Sequence, residues 1–272
     1  MELLLSDKSI GFIGLGNMGA AIVSAIHNHF SDVNVCAVES SEDRQGWIQD
    51  HLPFVGLVQF PDLFNSCDLI FVAVKPQQFE SLVNDIQSLI TPRHVIISML
   101  AGVTTMAIQK KLATDQVIRI MPNTPATLSN GVTGIYFSNE CSHALQVSVT
   151  DLCDTFGKTI QLQNEADINL ITAISGSGPA FFYRMVQAFV QFGVSHQLSE
   201  ALVKEAAIYT MKGASEMLID DPNPAAQISR VRSPNGTTHA GLEVMDQEDF
   251  DKIIYNVLHG AYLRAEELSK EL

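Results

Sequence analysis

The chain has 272 residues, with 16 Lys and Arg against 30 Asp and Glu, a formal net charge of −14 with histidine neutral. That balance argues against a nucleic-acid partner, because neutralising phosphates needs clustered basic residues. At 46% hydrophobic and 17% charged residues the chain is far from a disordered composition, and its length suits one or two domains with a sizeable core.

From Ser9 to about Leu162, short β-branched runs alternate with helix-like stretches. Ile10-Gly11-Phe12-Ile13 reads as a strand, Met18 to His29 as a helix and Val33 to Val38 as a second strand. Leu69 to Val74 is an unbroken apolar run of strand length, the mark of a strand buried on both faces. Val95 to Ser98 and Val117 to Ile120 repeat the theme. Strands spaced by helices predict parallel crossovers and a doubly wound sheet.

Beyond Asp167 the strand signals vanish. Pro179 to Val194, Leu198 to Ile219 and Asp249 to Leu268 have helix length, with Gly193 and the Pro222/Pro224 pair read as breaks. The organisation expected is therefore a sheet domain over residues 1–164 and an all-helical domain over residues 165–272. Segments such as Ala180 to Val190 are apolar nearly all round, which calls for cover on every side. The same region of a second subunit is the expected cover.

No apolar run approaches the ~18 residues of a membrane span. The start, Met1 to Asp7, lacks the basic segment of a signal peptide. Cys36, Cys67, Cys141 and Cys153 are widely spaced without a CxxC pair, as expected of buried thiols in a reduced, cytoplasmic protein. The eight histidines show no metal-ligand spacing, so no metal is expected.

Gly14-Leu15-Gly16-Asn17-Met18-Gly19 is a GxGxxG run placed after the first strand and opening the first helix. The first glycine permits the tight turn, the second a close approach to a pyrophosphate, and the third close packing of helix on strand. The helix N-terminus would then offer N–H groups and partial positive charge to the phosphates. Glu39 stands twenty residues beyond Gly19, where an acidic side chain commonly accepts from the adenosine ribose and repels a 2′-phosphate. Ser40, Ser41 and Arg44 follow closely, so both NADH and NADPH stay open.

Five further motifs follow in order: Val72-Ala73-Val74-Lys75-Pro76-Gln77, Ala101-Gly102-Val103, Met121-Pro122-Asn123-Thr124-Pro125, Ser175-Gly176-Ser177-Gly178-Pro179-Ala180 and Ser233-Pro234-Asn235-Gly236-Thr237-Thr238. Over nearly the whole chain they resemble the pyrroline-5-carboxylate reductase family. The resemblance implies a Rossmann domain, a helical dimerisation domain and, in many members, five dimers assembled as a decamer. It implies hydride transfer from NADPH or NADH to the ring C=N of 1-pyrroline-5-carboxylate, giving L-proline.

Carried over by position, Gly14, Gly16, Asn17, Met18, Ser40, Val74, Lys75, Pro76, Leu100 and Ala101 would touch the dinucleotide. Asn123 and Thr124 would shape its nicotinamide side, and Glu165, Gly236, Thr237 and Thr238 would hold the substrate. The chemistry of a cyclic imine carrying a carboxylate agrees. Backbone N–H groups of Gly236 to Thr238 at a helix start would hold the carboxylate. The Thr238 hydroxyl would donate to the ring nitrogen as the catalytic group.

Two positions depart from the family pattern. Asn235 replaces a usual glycine, in a turn that Asn tolerates through its access to the left-handed region. Phe60 stands where relatives often carry Asn near the adenosine. A β-hydroxyacid dehydrogenase-like enzyme is the enzymatic alternative, but Lys204 and Lys212 are followed four residues on by Ile208 and Glu216 rather than by Asn. A dinucleotide-sensing protein without catalysis is the other alternative.

Overall fold

The structure, a computed structural model, describes residues 9–270. The start, Met1 to Asp7, read as lacking the basic segment of a signal peptide, lies outside the described residues.

Eight strands form one sheet in the order β3-β2-β1-β4-β5-β6-β7-β8. They are β1 Ile10–Ile13, β2 Val35–Val38, β3 Val55–Leu57, β4 Leu69–Val72, β5 Val95–Ser98, β6 Val117–Met121, β7 Gly131–Phe137 and β8 Gly157–Gln161. Between them run α1 Asn17–His29, α2 Glu42–His51, α3 Phe60–Ser66, α4 Phe79–Ile86, α5 Thr105–Leu112 and α6 His143–Asp154. The first six strands are parallel neighbours, and the order reverses between β1 and β4. Such a switch point opens a crevice at the carboxyl ends of the strands, where ligands bind in open α/β sheets.

Alternation along the strands feeds two cores. Phe12, Phe71, Ile97 and Ile118 turn to one face; Ile13, Ile70, Ile96 and Val117 turn to the other. Phe12 pairs with Phe71 across β1 and β4, and their rings stack with centroids 4.6 Å apart. Each of β1, β4 and β5 is buried from end to end, as the apolar runs predict.

The far edge departs from the parallel pattern. β7 runs antiparallel to β6, and β8 then runs parallel to β7. The chain leaves β6 through a tight helical turn, Thr124–Leu128, and Ser129 at φ 53° turns it back toward Gly131. A connection without a crossover helix returns the strand antiparallel. Gly157 (φ 144°) permits the β7–β8 approach, since a Cβ there would lie 2.0 Å from the Gly131 carbonyl oxygen.

After β8 the described chain is helical: α7 Asp167–Ile171, a π-helical turn Thr172–Gly176, α8 Gly178–Ser195, α9 Glu200–Asp220, α10 Pro224–Val231, α11 Thr237–Gln247 and α12 Phe250–Lys270. By internal packing, residues up to Ser177 and the end of α12 from Ala261 form one unit, and Gly178–Gly260 a second. Gly193 does not break a helix. It lies buried inside α8, where a Cβ would meet Val203 of α9 at 2.4 Å, so glycine is there to let two helices approach. The break comes at Gln197, whose φ of 69° ends the helical path, while the Leu198 amide bonds back to the Gly193 carbonyl. Pro222 and Pro224 do stand at a break: Pro224 opens α10.

Candidate active site

In the first unit a cleft of about 970 Å³ opens above the switch point, lined among others by Gly14, Gly16, Glu39, Ser40, Val74 and Lys75. The glycines shape it as the spacing requires. Gly14 has φ 81°, and a Cβ there would press on the Ala73 carbonyl oxygen at 3.1 Å. A Cβ on Gly16 would meet nothing within 4 Å, so that the backbone faces open space, and Gly19 packs against the Gly14 carbonyl oxygen. α1 starts at Asn17 with Gly16 as a cap that brings no side-chain hydrogen bond. Its first N–H groups are thus left to an anion. A glycine cradle, an uncapped helix start and a cleft at the switch point fit a dinucleotide diphosphate.

Glu39, just past β2, lines this cleft, and its carboxylate is held by two backbone donors. Oε2 accepts from the Leu15 amide (2.9 Å) and Oε1 from the Ser41 amide (3.0 Å). The Arg44 Nε donates to the Leu15 carbonyl (2.7 Å), and its guanidinium lies 3.9 Å from the Trp47 ring centre. Arg44 thus braces the glycine loop. Phe60, at the start of α3, lines the cleft as well.

Other expected cofactor residues are not among those lining the cleft. Asn17 is exposed at the first turn of α1, and Met18 packs on the core. Pro76 opens a short helical turn, closed by the Gln78 side-chain oxygen accepting from the Lys75 amide (3.0 Å). Leu100 is buried and Ala101 half-buried. Asn123 is buried with both ends of its amide engaged: Nδ2 donates to the Ser175 carbonyl (2.9 Å) and Oδ1 accepts from the Val132 amide (2.8 Å). It therefore ties the Met121–Pro125 motif to Ser175 of the SGSGPA motif and to β7. Thr124 beside it is exposed.

Glu165 is gripped from three directions. Its carboxylate accepts from the Thr105 amide (2.7 Å) and hydroxyl (2.8 Å), and pairs with Arg119 Nη1 at 3.1 Å. The Arg119 side chain, in β6, is only 3% exposed, and its Nε and Nη2 find no protein partner. Burial pulls the Arg119 pKa down from its ordinary value, and Glu165 pushes it back up. Nothing in the sequence reading singled out Arg119 or Thr105. The one available signal was an arginine inside an apolar strand, Val117-Ile118-Arg119-Ile120, which demands a buried partner.

In the second unit the motif Ser233 to Thr238 forms a turn running into a helix. The Gly236 amide bonds to the Ser233 carbonyl (3.0 Å) with Asn235 at φ 58°, the left-handed conformation expected of it. A Cβ on Gly236 would lie 2.2 Å from the Ser233 hydroxyl oxygen and 3.2 Å from its carbonyl oxygen, so a larger residue there would make the serine side chain turn away. α11 then begins at Thr237 with no side-chain cap. Its first amides and the half-buried Thr238 hydroxyl stand together at a helix N-terminus. Arg232 Nε donates to His239 Nδ1 (2.9 Å) beside them, a basic pair that sequence reading did not assemble.

The four cysteines are free and buried, and burial pushes the Cys67 thiol up to about 12. Among the described residues no cluster of three metal-ligating side chains occurs, and no helix is long and apolar enough to cross a membrane.

Residues 165–268 match the family model for pyrroline-5-carboxylate reductase dimerisation, and residues 9–102 match that described as NADP oxidoreductase, coenzyme F420-dependent. The chain is 31% identical to the pyrroline-5-carboxylate reductase of Pasteurella multocida, covering 98% of this chain and 99% of that one. It superimposes with a TM-score of 0.89 on the pyrroline-5-carboxylate reductase of Coxiella burnetii, 27% identical, covering 97% and 99% of the two chains. The Plasmodium falciparum pyrroline carboxylate reductase, solved with NADP bound, is 25% identical with a TM-score of 0.85 over 97% of this chain and 99% of that one. The chain belongs to the pyrroline-5-carboxylate reductase family.

Proposed function

We propose that this protein is an NAD(P)H-dependent oxidoreductase that reduces 1-pyrroline-5-carboxylate to L-proline, the last step of proline biosynthesis. The observation that carries the reading is the match to reductases of this name along nearly the whole of both chains. The cradle and the Gly236 turn supply the chemistry it needs.

The Gly14–Gly16 loop and the start of α1 hold the diphosphate, with Asn17, Met18, Glu39, Ser40, Val74, Lys75, Pro76, Leu100, Ala101 and Asn123 placing the rest of the dinucleotide. When bound, the nicotinamide supplies the hydride. The amides of Gly236, Thr237 and Thr238 hold the substrate carboxylate at the helix N-terminus, and Glu165, fixed by Thr105 and Arg119, sets the substrate side. The Thr238 hydroxyl donates to the ring nitrogen, orienting the C=N and favouring the charge that develops there. Alignment of the two reactants supplies most of the acceleration.

The domain reading belongs to the same proposal: residues 1–164 bind the dinucleotide, and residues 165–272 bind substrate and dimerise. Two copies pair through this helical segment and five pairs make a decamer. Exposed Phe182, Phe189 and Tyr209, together with the description of the matching family model, support the pairing. Four free, buried thiols are compatible with a reducing cytoplasm. Membrane and nucleic acid are not partners in this reading.

The test is nicotinamide absorbance on the purified chain with 1-pyrroline-5-carboxylate and each reductant. Imine-dependent oxidation is expected, and Thr238→Ala should lower kcat/KM roughly ten- to a thousand-fold. Turnover of hydroxyacids without the imine would move the chain to the β-hydroxyacid dehydrogenases. Dinucleotide binding with no turnover at all would make it a sensor.

A further inference from the structure

We infer that this enzyme takes NADH in preference to NADPH and that Glu39 is the selecting residue. The inference rests on the dinucleotide reading above and names the reductant for it. The two reductants differ at the 2′ position of the adenosine ribose, a hydroxyl in one and a phosphate in the other. A phosphate monoester carries about −1.5 to −2 charges at neutral pH. An enzyme that accepts it must offer cations or unclaimed N–H donors at that corner, whereas a ribose hydroxyl needs only an acceptor.

Here the corner offers an acceptor that has already claimed two of its backbone donors. The Glu39 carboxylate lines the cleft just past β2, and the two nearest backbone amides, Leu15 and Ser41, already donate to it. A 2′-phosphate brought to this place meets a carboxylate, with these two amides already engaged. The charged side chains along the cleft lining are Glu39, Lys75 and Asp85, so acid outnumbers base. Lys75 belongs to the carboxyl end of β4, not to the β2 corner.

Arg44 does not correct this balance. It is absent from the cleft lining, its Nε donates to the Leu15 carbonyl, and Trp47 covers its guanidinium face. Its Nη2 is shut off from solvent and makes no hydrogen bond to the protein. To reach a 2′-phosphate it would have to leave both the glycine loop and the indole ring. On the β3 side the cleft is walled by Leu57, Val58, Gln59 and Phe60, which bring one amide and no charge. Glu39 is thus placed to accept from the ribose hydroxyls and to repel the phosphate that replaces one of them.

The experiment measures Kd for NADH and for NADPH on the full chain, by nicotinamide fluorescence or calorimetry, for wild type, Glu39→Ser and Glu39→Gln. The wild type should bind NADH roughly ten- to a hundred-fold tighter, the size of one hydrogen bond to a charged group. Both variants should narrow that ratio, chiefly through tighter NADPH binding, with Glu39→Ser the stronger. If Glu39→Ser fails to fold, the near-isosteric Glu39→Gln and the wild-type ratio still decide. Wild-type binding of NADPH as tight as NADH, or a ratio unmoved in the folded variants, overturns the inference while leaving the dinucleotide reading intact. Binding of neither nucleotide overturns both.

Discussion

In the sheet-bearing unit β1, β4 and β5 are buried from end to end and both faces of the sheet are covered by helices of the same chain. The helices over Gly178–Gly260 bury little: Phe192 is 68% exposed, Tyr209 65% and Phe189 55%. Hydropathy is not what separates the two regions. A parallel sheet brings its cover with it, because every crossover helix must pack back onto a face. A helical hairpin such as α8–α9 has an inner seam, closed here at Gly193 and Val203, and an outer surface that needs another partner. One unit is covered within the single chain, and the other leaves large apolar side chains exposed.

The comparison is tested first where the covered unit hides a charge. Arg119→Met leaves Glu165 without its guanidinium, and breaking a buried pair in this way costs about 3–5 kcal/mol. Urea titration should show the loss, and adding Glu165→Gln should recover part of it. A shift of the midpoint too small to measure would mean that the pair holds nothing together.

Phe189→Glu probes the exposed unit. If a second copy covers α8, the charge should weaken association by at least about 2 kcal/mol, the threshold of an interface hot spot. Light scattering should then give a lower mass than wild type, and the concentration dependence of Tm should fade. Equal masses would place this face outside any interface.

Gly193→Ala tests whether the inner seam is as tight as it looks. Overpacking there should cost about 1–3 kcal/mol, and Val203→Ala on the same chain should relieve it. The smallest stability effect belongs to Gly16→Ala, in open space at φ −65°. Its unfolding free energy should move by less than about 1 kcal/mol either way, while dinucleotide affinity falls because the methyl group occupies the cradle. Unchanged affinity would mean the diphosphate does not approach Gly16.

Much of this molecule is legible in short stretches. Ile10–Ile13 and Val95–Ser98 are strands over the residues expected, and α1 begins within one residue of the expected start. The strands β3, β7 and β8 were not foreseen. Val55–Leu57 has three residues, β7 carries Gly131 and Gly134, and β8 holds a single apolar side chain, Ile160, so none presents a long apolar run. Their stability comes from neighbours, not from their own composition.

Local chemistry alone determined the glycine cradle, the strand before it, the helix after it and the left-handed turn at Asn235, because each is settled by backbone sterics within a few residues. The tertiary structure decided which groups meet: Glu39 with the Leu15 amide 24 positions away, and Arg119 and Thr105 with Glu165 at separations of 46 and 60. A carboxylate or guanidinium within the chain text shows only its charge. Which donors it neutralises, and hence which ligand it admits, is fixed when the sheet order brings distant strand ends to one crevice.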